Sequence, residues 1–447
     1  MEEKFLIKGG HPLSGEIEIR GSKNAASKMM IATLLTDEPC VIENIPFSSE
    51  IDITRELCER IGSQISIAEN HTLAIATPDI TTSLVPELSR RNRIPILAFG
   101  PLLHRKGFAE IPVLGGCYLG HRPINFHIEA LNKMGVRIER REGSYYGEAD
   151  QIVGNAIDFP YPSVGATENV LLTAVRASGA TYITNAAVEP EILNLIEMLN
   201  AMGADIALDQ EARTIRIVGV SKLHGVRVRV IPDRNEIVSF ATAALATDGH
   251  IYIRGVERAS LDTFVSAIRA IGGEVVMRPD GIEFFGKRPY KPIAIETGPH
   301  PGFMTDWQQP FSILLTQACG ESIVHETVYE DRFAYTKDLK RMGADIEVSD
   351  ECLGVSPNPP KADGRREAFS PCRFHGATFN HSMRVRGHTP LSGAEITMTD
   401  LRAGMAHMIA ALSAQGESLI SGIGHVDRGY EKIDERLQSL GADIKRV

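Results

Sequence analysis

Two kinds of apolar pattern alternate along the chain and predict two kinds of helix. In the segment EPEILNLIEMLNAMG, Ile192, Leu195 and Leu199 share one helical face, which is typical of a helix that lies on a core. Other segments, such as NEIVSFATAALATDG, are apolar almost all round, which predicts helices that are buried on every side. Short strand-like stretches follow both kinds. We therefore expect units of the form strand–helix–strand–helix–strand.

A short pattern ends the first kind of helix and recurs along the whole chain. It consists of a large apolar residue, Gly, any two residues, and then Ile or Val, as in MGADI. Glycine suits the left-handed end of a helix, and the β-branched residue begins a strand. Copies recur about every 70 residues, with a longer last interval, which indicates a repeated supersecondary unit. The six glycines are Gly62, Gly135, Gly203, Gly272, Gly343 and Gly441.

The longer last interval indicates an insertion, and the repeats indicate how the chain divides. Residues 352–388 are rich in Pro, Gly, Arg and His, so we expect a surface loop there, since loops tolerate added length at small entropic cost. The segments GHPLSGEIEI and GHTPLSGAEIT echo each other near the two ends. The N-terminal strand is therefore expected beside the C-terminal half. The simplest division gives three units per domain, with domains at 22–232 and at 1–21 plus 233–447.

Composition excludes several classes of protein. A chain of 447 residues suits two domains. Its net charge of −10 argues against a general binder of nucleic acid or membrane surfaces. No apolar run reaches the roughly 18 residues that a membrane span needs. The first residues, MEEKFLIKGG, do not resemble a signal peptide, so we expect a cytoplasmic protein with no obligatory protein partner.

Polar residues gather at the starts of the buried helices. A buried helix N-terminus attracts anions, which makes these positions candidates for an anion site. Asp306 and Asp400 are equally explained as helix caps. Lys23, Arg93 and Arg402 oppose the helix dipole, so a functional role explains them better. The full set is Lys23, Asn24, Arg93, Ser163, Gly165, Thr167, Asp233, Arg234, Asp306, Asp400 and Arg402.

Two groups of cysteines also suggest chemistry. In the glycine-rich segment VLGGCYLGHRP, Cys117 lies near Arg122, and a nearby cation would favour a reactive thiolate. A small buried hydrophobe is the alternative for Cys117. Zinc ligands are conceivable in the insertion, but their spacing fits no standard pattern. No phosphate-binding loop or dinucleotide fingerprint occurs either, so we expect no metal and no redox cofactor. The zinc candidates considered are Cys352, Cys372, His375 and His381.

Motifs along nearly the whole chain resemble those of the enolpyruvyl transferases. The resemblance implies an α/β fold of two inside-out, barrel-like domains, each with three repeated βαβαβ-type units. It implies transfer of enolpyruvate from phosphoenolpyruvate to the 3-hydroxyl of UDP-N-acetylglucosamine with release of phosphate, the first committed step of peptidoglycan synthesis. The motifs are GSKNAA, GGCYLGHRP, PSVGATEN, NAAVEPEI, PDRNE, TDLRAG and HVDRGYEKI.

The resemblance also implies roles for individual residues. Lys23, Arg122 and Arg428 would hold the phosphate and carboxylate of phosphoenolpyruvate, with help from Arg402. Asp306 would accept the proton of the sugar hydroxyl. Three further roles are implied: Asn24 would contact the tetrahedral intermediate, Arg93 would help to close the site around the nucleotide sugar, and Cys117 would donate a proton or assist product release. The implied lining of the nucleotide site is Arg122, Pro123, Ile124, Asn125, Phe126, Tyr161, Pro162, Ser163, Val164 and Val328.

The chain departs from the family pattern at several places. Asn125 stands where the family often has Asp, Tyr161 stands where some members have Lys, and NEIVSF follows the PDR motif. Three hypotheses therefore compete. The first is the transferase described above. The second is an enolpyruvyl transferase for another nucleotide or for shikimate 3-phosphate. The third is a binding protein that has lost catalysis.

Overall fold

A computed structural model of the chain describes residues 3–86, 92–113, 124–256, 258–353 and 372–447. The chain divides into two compact units. The C-terminal unit comprises the described residues up to Ile19 and those from Arg234 to Val447, and the N-terminal unit comprises the described residues from Arg20 to Asp233. The sequence prediction placed the two domain boundaries after residues 21 and 232, whereas the compact units divide after Ile19 and Asp233.

The described strands of the C-terminal unit form three four-stranded sheets, and all three have the same topology. One edge strand is parallel to its neighbour, and the remaining two pairings are antiparallel. The first sheet is β21 (Glu395–Thr397), β22 (Glu417–Ser421), β1 (Phe5–Lys8) and β23 (Asp443–Arg446). The second is β2 (Ser14–Glu18), β14 (His250–Arg254), β16 (Gly281–Phe285) and β15 (Glu274–Arg278). The third is β17 (Ala294–Glu296), β18 (Gly320–His325), β20 (Ser382–Gly387) and β19 (Asp345–Ser349).

The N-terminal unit repeats this topology. Its third sheet has three strands, and an isolated parallel bridge from Leu84 to Glu110 lies where the other sheets have their parallel edge strand. The first sheet is β9 (Ala156–Asp158), β10 (Ala180–Thr184), β12 (Thr214–Val218) and β11 (Asp205–Asp209). The second is β13 (Arg227–Arg229), β3 (Cys40–Glu43), β5 (Thr72–Ala76) and β4 (Gln64–Ala68). The third is β6 (Phe108–Pro112), β8 (Ser144–Glu148) and β7 (Arg137–Arg141).

Helices apolar on all sides form the centre of each unit. In the C-terminal unit, α7 (Arg234–Ala246), α9 (Thr305–Thr316) and α11 (Leu401–Ser413) pack pairwise, and each also packs on one of the three sheets. Every residue of α7 is buried. This arrangement places helices inside and sheets outside, because the sheets have one apolar face and the helices have no polar face.

The N-terminal unit is built on α1 (Lys23–Ala32), α3 (Phe99–Lys106) and α5 (Val164–Ala174). α3 packs on α5, and the 3-10 helix Ile94–Ala98 before α3 packs on both α1 and α5. Further 3-10 helices are Thr33–Leu35 and Arg258–Leu261. The other helices are α2 (Ser49–Ile61), α4 (Asn125–Lys133), α6 (Pro190–Ala201), α8 (Asp262–Ala270), α10 (Thr336–Arg341), α12 (Gly424–Asp427) and α13 (Ile433–Ser439).

The predicted fold class is confirmed, and so is the role of the repeated glycines. All six repeat glycines have a positive φ, between 91° and 126°, where a side chain would be strained. Within the described residues, no helix is long and apolar enough to cross a membrane.

The predicted insertion ends too late along the chain. Residues 382–387 form β20, which pairs with both β18 and β19 inside the third sheet of the C-terminal unit. Met383 and Val385 are fully buried, whereas Arg384 and Arg386 alternate with them and face outward. The charged residues gave this segment the composition of a surface loop. The alternation of buried and outward-facing residues, however, is that of a strand with one buried face.

Candidate active site

Asp306 lies in the first turn of α9, and two guanidinium groups bind its carboxylate. Arg332 donates from Nη2 to Oδ1 at 2.6 Å, and Arg402 donates from Nε to Oδ2 at 3.0 Å. Only 1% of the Arg332 side chain and 6% of the Arg402 side chain are exposed. The cap interpretation is wrong for Asp306, because the N-cap of α9 is Met304 and no side chain caps that helix. The carboxylate instead neutralises two buried cations.

The two arginines determine the protonation of Asp306. Burial by itself would raise the pKa of this carboxyl, but the charges and hydrogen bonds of Arg332 and Arg402 outweigh it and hold the pKa well below its usual range. A carboxylate held in this way is a weak base. General bases work best with a pKa near the working pH, and a carboxylate that is paired with both cations is far from that condition.

The ion pair extends into a hydrogen-bond network. Arg332 Nη1 donates to Thr305 Oγ1 at 2.6 Å, and Thr305 Oγ1 donates to Glu326 Oε2 at 2.8 Å. The other oxygen of Glu326 accepts from the backbone N–H groups of Val328 and Tyr329 at 2.8 and 3.0 Å. The network therefore fixes the segment that carries Val328 relative to the start of α9.

Sequence reasoning missed Arg332. It lies in a polar segment after β18 and not at a helix start, so the rule that found the other cations passed over it. A usable signal exists in the repeats. The dipeptide Asp331–Arg332 recurs as Asp427–Arg428 in the next unit, each time shortly before the helix that ends at a repeat glycine.

Asp400 caps α11, and the side chain of Arg402 makes a further hydrogen bond beyond that helix. The carboxylate of Asp400 accepts from the backbone N–H groups of Arg402 and Ala403 at 2.9 and 3.0 Å, which confirms the cap interpretation for Asp400. Arg402 Nη1 donates to Tyr430 Oη at 2.9 Å, and Tyr430 Oη in turn lies 2.7 Å from Ser239 Oγ. Arg428, two residues before this tyrosine, is half-buried.

In the N-terminal unit, Lys23 is the first residue of α1 and is buried, with 9% of its surface exposed. Asn24 follows it and is half-buried. A buried ammonium at a helix start opposes the helix dipole, so it is stabilised when an anion lies against it. The position therefore fits the binding of a negatively charged ligand.

The second cation of this unit, Arg93, acts electrostatically on a histidine that the sequence did not single out. His127 is buried, and burial together with the charge of Arg93 lowers its pKa to about 3. The ring is therefore neutral, and its Nδ1 lies 3.2 Å from Asn169 Nδ2 on α5. A Cβ at Gly165 would lie 3.2 Å from His127 Cε1, so the glycine allows α5 to begin against this ring.

The two segments predicted to line a nucleotide lie close together in this unit. Phe126 and Phe159 have ring centroids 6.4 Å apart, which links the start of α4 to the strip Tyr161–Val164. Ser163 caps α5 by accepting from Ala166 N at 3.4 Å. Asn125, the first residue of α4, is exposed and accessible to a ligand.

Three predicted site residues, Cys117, Arg122 and Pro123, lie outside the described residues. Among those described, the structure joins Asp306 to Arg402 directly, and it brings the Phe126 segment next to the strip that follows Phe159. The functional assignments of all these residues remain predictions.

A family model described as EPSP synthase (3-phosphoshikimate 1-carboxyvinyltransferase) matches residues 7–437. The chain belongs to this family of enolpyruvyl transferases. The prediction of an enolpyruvyl transferase is thus confirmed at the level of the family.

Curated relatives extend over almost the full chain. A UDP-N-acetylglucosamine 1-carboxyvinyltransferase of Protochlamydia amoebophila is 44% identical, over 99% of this chain and 94% of the relative. A protein of the same name from Chlamydia pneumoniae is 42% identical, over 97% and 93%. One from Halorhodospira halophila is 38% identical, over 100% and 99%.

Solved structures agree on the fold. The enolpyruvyl transferase NikO from Streptomyces tendae has a TM-score of 0.86 at 22% identity, over 100% of this chain and 99% of that chain. An EPSP synthase from Acinetobacter baumannii has a TM-score of 0.74 at 18% identity, over all of both chains. At these identities the likeness establishes the shared fold and leaves the acceptor open.

One buried acid close to the strip Tyr161–Val164 titrates near neutral pH. Glu168 on α5 is buried, and burial raises its pKa to about 7. Lys28, whose Nζ lies 4.0 Å from Glu168 Oε1, lowers the pKa, and the acids Glu191 and Glu189 raise it. The raised pKa means that ionised Glu168 destabilises the fold.

We expect Glu168→Gln to change the pH dependence of stability. Because the folded-state pKa is above the ordinary value of 4.5, the contribution of Glu168 to stability is present below pH 4.5 and is lost as the pH rises through about 7. The free energy of unfolding of the variant should therefore exceed that of the wild type by on the order of 3 kcal/mol at pH 8 and by much less at pH 5. Urea unfolding at both pH values measures this gain. Exposed Glu211→Gln is the control, and an equal change at both pH values would contradict the prediction.

Proposed function

We propose that this chain transfers the enolpyruvyl group of phosphoenolpyruvate to the 3-hydroxyl of UDP-N-acetylglucosamine and releases phosphate, which is the first committed step of peptidoglycan synthesis. The observation that carries the acceptor is the relationship to transferases of that name at 38–44% identity over almost the full chain. Both substrates are small phosphorylated molecules, and we place the reaction in the cytoplasm. No nucleic-acid or membrane partner enters the reaction.

The proposed reaction has an addition and an elimination. In the addition, the hydroxyl oxygen bonds to C2 of phosphoenolpyruvate while the methylene carbon gains a proton and becomes a methyl group. The resulting carbon carries both phosphate and carboxylate, which Lys23, Arg122 and Arg428 hold with the help of Arg402. Asn24 contacts this intermediate. In the elimination, the C–O bond to phosphate breaks and the methyl group loses a proton, which restores the double bond.

Asp306 takes the proton of the sugar hydroxyl in this scheme, and its ion pairs determine when it can act as a base. In the described arrangement Arg332 and Arg402 hold the pKa of Asp306 low. An incoming phosphate or carboxylate that draws Arg402 away removes one of the two positive charges that lower the pKa of Asp306. The pKa of Asp306 therefore rises. The base thus becomes effective only when the anionic substrate is bound.

The residues that face the nucleotide sugar in this scheme lie mainly in the N-terminal unit. Arg93 acts electrostatically on His127, and the segment from Ile124 to Phe126 opens α4. The strip Tyr161–Val164 precedes α5. Val328 has the same proposed role. Cys117 donates the proton to the methylene carbon or assists product release.

A direct assay of acceptors tests the proposal. Purified protein is mixed with phosphoenolpyruvate and, separately, with UDP-N-acetylglucosamine, with another nucleotide sugar, or with shikimate 3-phosphate. We expect phosphate release with UDP-N-acetylglucosamine alone. Asn125 motivates the second nucleotide, and the description of the matching family model motivates shikimate 3-phosphate. Release with either of these and none with UDP-N-acetylglucosamine would refute the proposed acceptor, and binding without any turnover would refute catalysis.

Asp306→Asn tests the proton acceptor. Asparagine keeps the size of the side chain but cannot accept the proton, so kcat should fall about 100-fold or more while the affinity for the nucleotide sugar changes little. Asn is a better choice than Ala, because Ala would leave Arg332 and Arg402 without any polar partner at this point. Steady-state kinetics and calorimetric binding measure the two quantities, with exposed Asp443→Asn as the control. Wild-type kcat in Asp306→Asn would remove Asp306 as the base.

Cys117→Ser tests the thiol of the glycine-rich segment. We expect the epoxide fosfomycin to label the wild-type protein covalently at Cys117 and to leave the serine variant unlabelled, since a hydroxyl is a far weaker nucleophile than a thiolate. Intact-mass spectrometry measures the labelling. Cys319→Ser, which alters an exposed cysteine elsewhere in the chain, should label like wild type. Labelling of Cys117→Ser would place the reactive thiol elsewhere.

A further inference from the structure

Four side chains that could bind a metal converge in the C-terminal unit, and none of them is among the residues assigned to the reaction. They are His325, Cys352, Cys372 and His381, and their nearest ligand atoms all lie within 4.8 Å of one another. Cys352 Sγ lies 2.8 Å from Cys372 Sγ and 3.3 Å from His381 Nε2. Both cysteines are free thiols. Four ligands around one tetrahedral ion lie about 3.3–3.8 Å apart. The distance from Cys352 to His381 falls in this range, the two sulfurs lie closer together, and the whole cluster is compact enough to surround one ion.

Both imidazoles present an available nitrogen to this cluster. His325 Nδ1 lies 2.7 Å from Glu296 Oε2, and His325 Nε2 is buried without a hydrogen-bond partner among the described residues. His381 Nδ1 lies 3.1 Å from the carbonyl oxygen of Phe379, which leaves Nε2 facing Cys352. Metal-binding histidines usually donate their second ring N–H to a carboxylate or a backbone carbonyl, and both histidines have such an acceptor here.

The unpartnered Nε2 of His325 requires a physical explanation. Burying a polar atom without a hydrogen-bond partner is unfavourable, and this imidazole lies in one cluster with two thiols and a second imidazole. A metal ion would satisfy this nitrogen and the other three ligand atoms at once. A disulfide between Cys352 and Cys372 would involve the two sulfurs only and would leave both imidazole nitrogens unexplained.

The cluster lies at one end of a single sheet. Glu296 ends β17, His325 ends β18, and Ser349 ends β19, and the register sets Glu296 beside His325 and both His325 and Ser349 beside Ser382 of β20. His381 directly precedes β20. Cys352 follows β19 by three residues, so three of the ligands come from the ends of paired strands.

We propose that His325, Cys352, Cys372 and His381 together bind one zinc ion as a structural site. Two thiolates and two imidazoles in tetrahedral arrangement select zinc among common divalent ions. All four positions are filled by protein ligands, which is the pattern of structural sites, because a catalytic zinc keeps one position open. On binding, each cysteine thiol releases its proton to solvent and becomes a thiolate, so one Zn²⁺ replaces two protons.

The proposal corrects the ligand set considered from the sequence, and it replaces the expectation of no metal. His375 is exposed, and its Nδ1 lies 3.8 Å from Cys352 Sγ. His325 takes the place of His375 in the proposed set of ligands. It lies much earlier along the chain and reaches the cluster only because β18 and β20 are paired. That separation is why the spacing matched no standard motif.

The site also borders the network around Asp306. Glu326 follows His325 directly, and its N–H donates to the carbonyl of His381 at 2.8 Å. The carboxylate of Glu326 holds Thr305 and the backbone of Val328. A metal that fixes His325 and His381 therefore also fixes the backbone on which Glu326 acts.

Metal analysis of untagged, full-length protein tests the site. Elemental analysis should find about one zinc per chain in the wild type. Cys352→Ser and His381→Gln should each reduce the content to below about a tenth of that value, since each removes a ligand. His375→Gln and Cys319→Ser are the matched controls and should keep the wild-type content. Loss of zinc in His375→Gln but not in His381→Gln would overturn the proposed ligand set.

Wild-type protein supplies a second measurement that does not depend on the folding of variants. After removal of the metal and addition of Co²⁺, the protein should show the visible absorption of a tetrahedral, thiolate-bound cobalt. Glu296→Gln should weaken zinc binding about 10–100-fold in competition with a chelator, because Glu296 orients His325. Wild type purified without oxygen that holds no zinc, shows no cobalt spectrum or contains a Cys352–Cys372 disulfide would overturn the proposal.

Discussion

The central helices of both units have no polar face, and this constraint determines where charged chemistry can lie. α7, α9 and α11 pack on one another and on their own sheets. A charged side chain along their length would therefore lose its contact with water and gain no partner in exchange. Only the helix ends remain, and the first turn offers free N–H groups and the positive end of the dipole. Lys23 and Asp306 lie at such positions, as does Arg402. The candidate site is in this sense a consequence of how the repeated unit packs.

The charges at the start of α9 hold one another in place. Arg332 and Arg402 are buried, and removing Asp306 from between them would leave two cations uncompensated. Buried ion pairs contribute little net stability, because desolvation offsets their attraction. In the proposed reaction these pairs hold both guanidiniums beside Asp306 until an anionic substrate draws Arg402 away, so that binding of the substrate and release of the base are linked.

Sequence reasoning succeeded where the signal was local. The repeat glycines, the buried helices and the cap at Asp400 each depend on residues within one turn or one helix, and these predictions match the structure. Arg332 and His127 were missed because their partners, Asp306 and Asn169, come from other elements of the fold. No pattern in the single sequence encodes such a pairing, apart from the recurrence of Asp331–Arg332 as Asp427–Arg428.

The cluster at the end of the third C-terminal sheet has a further consequence for that sheet. β19 and β20 pair although a connection of about 30 residues separates them, and closing a long loop costs entropy that grows with its length. Cys352 and Cys372 lie on the two sides of this connection, so an ion bound to both would shorten the loop that must close. The same ion would bind His325 and His381 on strands that are already paired. Zinc would thus offset the entropic cost of closing the long connection. It would do so at the end of the sheet where Glu326 contacts Thr305, the first residue of α9.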